Sequence, residues 1–163
     1  MEILKFTLGG KNACFRKPER NAYGYFTYGN IHKIALLGLF GAILGYGGYS
    51  QTRDFMKKGR KSQGIIQSYP EFYERLKEVK VSILPSENFP KGFIPKKIQS
   101  FINSVGYASQ EQGGNLTVKE QGFETPCWDS CVVIDSKEAE EIKNAICHTS
   151  CVHYPYHGNN DHT

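Results

Sequence analysis

The sequence lacks any apolar run long enough to cross a lipid bilayer. Its longest apolar run, about residues 34–46, falls short of the ~20 residues that a transmembrane helix needs. This run also lies too far from the N-terminus to belong to a secretory signal peptide. We therefore expect a soluble, intracellular protein that does not bind membranes.

The motifs of common enzyme classes are also missing. The glycine clusters lack the GK[ST] ending of a phosphate-binding P-loop, and neither GxSxG nor HExxH is present. His32 and Lys33, close to Tyr28, could in principle cleave RNA by acid–base attack at a 2′-hydroxyl. A histidine at the start of a helix more commonly binds phosphate or caps the turn. We therefore expect no catalytic residues, no enzymatic activity and no cofactor.

The five cysteines are odd in number, which does not favour a secreted disulfide framework. Besides Cys14, Cys127 and Cys131 form one CxxxC pair and Cys147 and Cys151 form another, with histidines near the second pair. A zinc site is conceivable, but structural zinc motifs have tighter spacing and lie on turns, whereas Cys131 falls inside an expected strand. We expect free thiols and no metal.

Positive charge is concentrated at the start of the chain. Residues 1–60 hold ten Lys and Arg against three Asp and Glu, whereas residues 61–163 hold ten against thirteen. A basic segment indicates a polyanionic partner, most simply a nucleic acid. The alternative is a solvated surface that happens to be rich in lysine.

Residues 11–21 form a basic loop with aromatic and proline residues inside it. Its cations surround Phe15 and Pro18, and they are Lys11, Arg16, Lys17 and Arg20. Cations beside aromatic rings suit a phosphate backbone whose bases stack next to it. The loop is therefore a candidate RNA-binding segment.

The stretch over residues 23–51 organises the rest of the chain, because alternating aromatics lead there into an apolar helix over residues 34–46. Asn30 is the expected N-cap, and Gly47-Gly48 is the expected stop. One helix face carries an apolar stripe. A second face, without side chains, carries Gly38, Gly41 and Gly45. Because glycine costs roughly 0.5–1 kcal/mol in a helix interior, this face indicates either close approach by another backbone or RNA, or tight packing on the protein's own sheet.

Hydrophobic periodicity along the chain predicts one α+β domain. The predicted strands are residues 2–8, 79–84, 128–134 and 151–154, and the later helices are residues 71–78 and 137–146. Asp135 or Ser136 is the expected cap of the last helix. The resulting βαββαβ order is the ferredoxin-like, RRM-like arrangement.

A protruding β-hairpin is predicted before the third strand of this domain. Turn clusters bound two strand-like segments, residues 98–109 and 116–121, with Lys96 and Lys97 near the base. We assign residues 1–155, hairpin included, to the ferredoxin-like domain. Residues 156–163 are a polar C-terminal tail.

Three segments carry a resemblance to a known family. They read GKNACFRKPERNAYGYFTYGNIHKIALLGLFGAILGYGGYSQ over residues 10–51, YPEFYERLK over residues 69–77 and KGFIPKKIQSFINSVGYASQEQGGNLTVKEQ over residues 91–121. In this order they closely resemble the Cas-five family of CRISPR-associated RAMP proteins, most of all its type I-B branch. The resemblance implies an RRM-like fold with a hairpin thumb. It also implies a subunit at one end of the Cascade surveillance complex, where it caps the 5′ handle of the CRISPR RNA.

The resemblance also implies which residues contact RNA and protein. The residues implied to face the RNA handle are Lys11, Arg16, Lys17, Arg20, Tyr28, Asn30, His32 and Lys33. Residues 89–121 are implied to be the thumb or an adjoining partner surface. The partner-interface residues expected there are Lys96, Lys97, Phe101, Tyr107 and Gln112. The implied partners are the large subunit and the first backbone subunit of type I-B Cascade, together with the 5′ handle, in the bacterial cytoplasm.

Two departures from the family pattern shape the functional prediction. The family continues for some dozens of residues beyond the Asn-Asp-His motif at residues 160–162, whereas this sequence stops at Thr163. The match also weakens after Gln121, where Gly-Phe stands in place of an expected Trp-Leu pair. We interpret the chain as a truncated mimic, encoded by a virus or mobile element, that binds the large subunit and blocks assembly of type I-B interference complexes. The alternative is a genuine short Cascade subunit that binds the 5′ handle in antiviral defence.

Overall fold

The computed structural model describes residues 1–18, 24–50, 69–89, 91–103 and 116–158. In these ranges the chain forms two antiparallel three-stranded sheets and three helices. The strands are β1 (Glu2–Gly9), β2 (Asn12–Ala13), β3 (Val81–Pro85), β4 (Lys96–Asn103), β5 (Leu116–Glu124) and β6 (Cys127–Ile134). The helices are α1 (Lys33–Leu44), α2 (Glu71–Leu76) and α3 (Lys137–Cys147).

The main sheet has the strand order β1-β6-β3. The central strand β6 is antiparallel to both neighbours, so that Ser130 lies opposite Phe6 on one side and Ile83 on the other. Burial alternates along β6, with Trp128, Ser130 and Val132 inaccessible to solvent, as expected for a strand with one packed face. This sheet with its helices confirms the predicted α+β, ferredoxin-like class.

The second sheet contains the predicted hairpin. Its order is β2-β5-β4, and the hairpin register runs from Lys96 opposite Phe123 to Asn103 opposite Leu116. The short strand β2 pairs with the base of the hairpin, where Ala13 lies opposite Phe123. Strand β5 continues to Glu124, beyond the predicted end at residue 121. The predicted hairpin residues 104–109 lie outside the described residues.

The predicted strand over residues 151–154 is wrong. The N–H of Val152 donates to the carbonyl of Ile43 (2.9 Å), and the N–H of His153 donates to the carbonyl of Ala42 (3.1 Å). The last carbonyls of a helix have no partner within the helix, and this segment satisfies two of them at the end of α1. Its backbone donors are therefore not available for a β-ladder.

Both ends of α1 differ from the prediction. His32, and not Asn30, is the N-cap, because its Nδ1 accepts from the N–H of Ala35 (3.2 Å). The side-chain oxygen of Asn30 instead accepts from the N–H of Ile31 and from the indole N–H of Trp128. The helix ends at Leu44, and not at Gly47-Gly48. Gly45 follows it as the C-terminal cap, which its left-handed φ of 79° suits. At α3 the prediction is confirmed for Ser136, which accepts from the N–H of Ala139.

The packing of α1 explains two of its three glycines. A Cβ at Gly41 would lie 2.5 Å from the Cβ of Phe72 on α2, and a Cβ at Gly45 would lie 2.9 Å from the side chain of Val152. Both glycines therefore pack closely against other parts of the same chain. The contacting parts are α2 and the segment after α3, and not the sheet that was predicted. A Cβ at Gly38 would meet only the far edge of Phe72, at 3.9 Å.

The three described helices are short, and each is either amphipathic or buried. Across the described ranges, none combines the length and apolar character needed to span a membrane.

Candidate nucleic-acid and partner interface

Arg16 is held against the hairpin. Its guanidinium lies 2.7 Å from the carboxylate of Glu120 on β5 and 3.7 Å from the centre of the Tyr25 ring. The Glu120 side chain is only 3% exposed, whereas that of Arg16 is 43% exposed. A cation predicted to contact RNA therefore also forms an ion pair that fastens the basic loop to the second sheet.

Two further predicted RNA contacts have roles inside the fold. Asn30 accepts the indole N–H of the buried Trp128, so its oxygen links the start of α1 to the central strand. His32 caps α1 and lies edge-to-face with the rings of Phe15 (6.4 Å) and Tyr28 (5.0 Å). Burial lowers the pKa of His32, which favours the neutral imidazole that the capping bond requires.

Backbone pairing brings part of the predicted RNA-binding set together. The N–H of Lys17 donates to the carbonyl of Phe26 (2.8 Å), and the N–H of Tyr28 donates to the carbonyl of Phe15 (2.9 Å). These bonds place Arg16, Lys17 and Tyr28 side by side, with His32 against the Tyr28 ring.

The other cations of the set are more dispersed. The ammonium group of Lys33 donates to the backbone carbonyl of Lys77 (2.8 Å), at the end of α2. Lys11 is exposed and Lys17 is half-buried. Within the part of the chain that the structure describes, neither Lys11 nor Lys17 forms a side-chain ion pair. Arg20 lies outside the described residues.

The predicted partner interface is described only at the base of the hairpin. The Lys96 ammonium lies 5.3 Å from the centre of the Phe123 ring, and Lys97 lies 3.8 Å from the carboxylate of Glu124. Phe101 lies in β4, opposite Val118. Tyr107 and Gln112 fall outside the described residues. The proposed role of this surface stays a prediction.

The solvent face of the main sheet differs from the RNA-binding face of a typical RRM, which stacks bases on aromatic side chains. In register across the three strands, this face carries residues such as Lys5, Thr7 and Asp129, with Leu84 exposed beside them. None of the residues that alternation places on this face of β1, β6 and β3 is aromatic. The sheet therefore offers no base-stacking platform of that kind.

Cysteine chemistry is confined to single thiols. All five cysteines are free, and among the described residues no group of three or more His, Cys, Asp or Glu is placed to hold a metal ion. Burial, together with the nearby Glu120 carboxylate, raises the pKa of Cys14 to about 12. This thiol is therefore protonated at neutral pH and is not a nucleophile there.

A groove along the outer side of α1 was missed by sequence reasoning. It has a volume of about 630 Å³ and is lined mostly by apolar and aromatic residues, including Tyr154 and Tyr156 of the segment after α3, together with His32, Ser50 and His153. The apolar character of α1 on every side was the available signal. The aromatic walls could not be foreseen, because they depend on how the segment after α3 folds back onto α1.

A solved structure described as "CRISPR RNA-guided surveillance complex" has a similar fold. The match has a TM-score of 0.64 and 13% sequence identity, and it covers 99% of the present chain. The present chain spans 59% of that chain's length. No protein-family model and no curated protein matches the sequence. At this identity the likeness shows the fold, which is that of a CRISPR surveillance-complex chain.

Proposed function

We propose that the protein acts in the context of Cascade and occupies the position of the subunit that caps the 5′ handle. The observation that carries this proposal is the structural match over 99% of the chain to a CRISPR surveillance-complex chain. The handle-capping position rests on the sequence resemblance of residues 1–121 to the type I-B branch of the Cas-five family. The proposed role is one of binding and involves no catalysis.

We further propose that the protein blocks this position for the functional subunit and is therefore an anti-CRISPR mimic of that subunit. The internal contacts of its handle-facing residues support this idea. Arg16 is paired with Glu120, Asn30 with Trp128, and His32 with the first turn of α1. Side chains held by these internal contacts contribute less to RNA binding. The same contacts do not affect a surface that binds another protein. A chain that binds the large subunit but holds RNA poorly would exclude the functional subunit.

Co-expression with a complete type I-B Cascade tests this proposal. Plasmid interference is scored while a tag on this chain is used for capture. For a mimic we expect loss of interference, capture of the large subunit, and displacement of the host's own Cas-five subunit. If no Cascade component is captured and interference is unchanged, the proposed context is refuted.

The alternative is a genuine short subunit that binds the handle, and the exposure of Lys11 favours it. In a strain that lacks the host Cas-five subunit, a working subunit would restore interference. Its affinity for handle RNA would depend on salt, with log K falling by ~0.7 per phosphate contact for each tenfold rise in salt. A double Lys11→Ala, Lys17→Ala variant should then reduce this slope, whereas a mimic that works through protein contacts would keep its inhibitory activity.

A further inference from the structure

The first helix carries more apolar surface than the described residues cover. After Lys33, α1 contains no charged residue and is apolar on every side. Leu36, Leu37 and Phe40 on one side are buried in the core. On the other side, Ile34 is 44% exposed at the edge of the groove. Because a helix that is apolar all round is normally buried all round, its outer side needs a second cover.

The groove beside this outer side is mostly apolar and aromatic, and its polar lining includes His32, Ser50 and His153. Ala35, Gly38 and Ala42 form its floor, and the flanking walls include Tyr154 and Tyr49, which are exposed. Among the described residues that line it, none is Asp, Glu, Lys or Arg. Nucleic acids are bound largely through Lys and Arg contacts to phosphate. The described lining therefore favours a neutral protein segment over an RNA.

None of the described residues packs closely enough on Gly38 to require a glycine there. A methyl group there would be in ordinary contact with Phe72, at 3.9 Å, whereas at Gly41 it would clash. Alanine would therefore fit at residue 38, and it is the better helix former. With Ala35 and Ala42, Gly38 keeps the floor low over eight residues, about 12 Å of helix axis.

We propose that this groove receives an apolar helix of a protein partner, packed across α1 at Gly38. Small residues at a helix crossing allow the two axes to approach closely, and binding of a helix in an apolar groove is a common mode of recognition. The aromatic walls supply the apolar contact area on both sides of the crossing. The partner's identity rests on the function proposed above, so the large subunit of type I-B Cascade is the probe for the test.

Affinity for the purified large subunit is measured for the full chain and for Gly38→Ala. We expect binding about tenfold weaker, while Tm is unchanged or higher by about 2–4 °C. The matched control is Gly29→Ala, since a methyl group at Gly29 meets no atom of the described residues within 4 Å and should leave affinity unchanged. Tyr154→Ala, at a residue that is 83% exposed, should also weaken binding without loss of stability.

Photo-crosslinking from residue 154 identifies the occupant. With benzoylphenylalanine at this position, a crosslink to a helical segment of the large subunit supports the inference. A crosslink to RNA or to a second copy of this chain overturns it. Normal affinity of both groove variants overturns it as well, while leaving the proposed function intact. If the unmodified chain does not bind any Cascade component, the proposed function is refuted and this inference with it.

Discussion

The Arg16–Glu120 pair allows a direct test of whether Arg16, a cation predicted to bind RNA, mainly stabilises the fold. The change is Arg16→Ala. It removes the guanidinium that lies 2.7 Å from the buried Glu120 carboxylate and over the Tyr25 ring. The carboxylate then stays in a site with 3% exposure without its arginine partner.

The expected loss of stability follows from the exposure of the two partners. Breaking a fully buried ion pair costs about 3–5 kcal/mol, whereas an exposed pair contributes about 0–1 kcal/mol. Because the Arg16 side chain is 43% exposed, solvent screens part of the interaction, and we expect a loss of about 2 kcal/mol. The ring contact with Tyr25 adds about 0.5–1 kcal/mol. Together these terms lower Tm by about 5–10 °C for a chain of this size.

Urea denaturation followed by circular dichroism measures this loss, with Lys11→Ala as the matched control. An exposed lysine on the same loop should change stability by no more than about 0.5 kcal/mol. Adding Glu120→Gln to Arg16→Ala should restore part of the loss, because the buried site then holds no charge. If Arg16→Ala unfolds at the same urea concentration as the unmodified chain but loses affinity for handle RNA, Arg16 is an RNA contact and our assignment to the fold is wrong.

Three further predictions concern α1 and the buried thiol. Gly41→Ala should lower the free energy of unfolding by about 1–3 kcal/mol, because the added methyl would lie 2.5 Å from the Cβ of Phe72; a thermal melt equal to that of the unmodified chain would contradict the packing. Burial lowers the pKa of His32 in the folded chain. As the pH falls, the unfolded chain therefore takes up a proton first, near pH 6.5. The free energy of unfolding is full above that pH and decreases as the pH drops through the lower pKa of the folded chain. His32→Asn should keep the cap but lack this part of the acid sensitivity, and identical urea midpoints for both chains at every pH would refute the role of the imidazole. The Cys14 pKa of about 12 predicts that stability falls as pH rises above about 9, and that Ellman's reagent at pH 8 labels the two exposed cysteines but not Cys14 until the chain unfolds.

Local spacing was enough to predict most of the elements. Alternating apolar and polar residues predicted β1, and apolar periodicity predicted α1. The Ser136 cap could be predicted because its hydroxyl accepts from the N–H of Ala139, only three residues further along. The choice between Asn30 and His32 as cap could not be made locally, because both side chains can accept a hydrogen bond. It is decided by Trp128, which lies 98 residues away in sequence from Asn30.

The candidate site was harder to predict than the fold. Residue types predicted a basic, aromatic loop over residues 11–21. They do not show that β2 lies within this segment or that Arg16 is paired with a carboxylate 104 residues away. The segment at residues 151–154 has strand-like composition, yet free carbonyls at the end of α1 compete for its backbone donors. Both outcomes depend on tertiary contacts between distant segments, which a pattern confined to one segment does not contain.

The pairing of β1 with β6 has a consequence for synthesis of the protein. Glu2 lies opposite Ile134 and Gly9 opposite Cys127, so β1 must wait for a partner that is translated more than a hundred residues later. At about 5–20 residues per second, this delay lasts on the order of ten seconds. During that interval the apolar side chains of β1 have no sheet to join, and pairing over such long sequence separation is slow in itself. We therefore expect the nascent chain to depend on chaperones until β6 has left the ribosome.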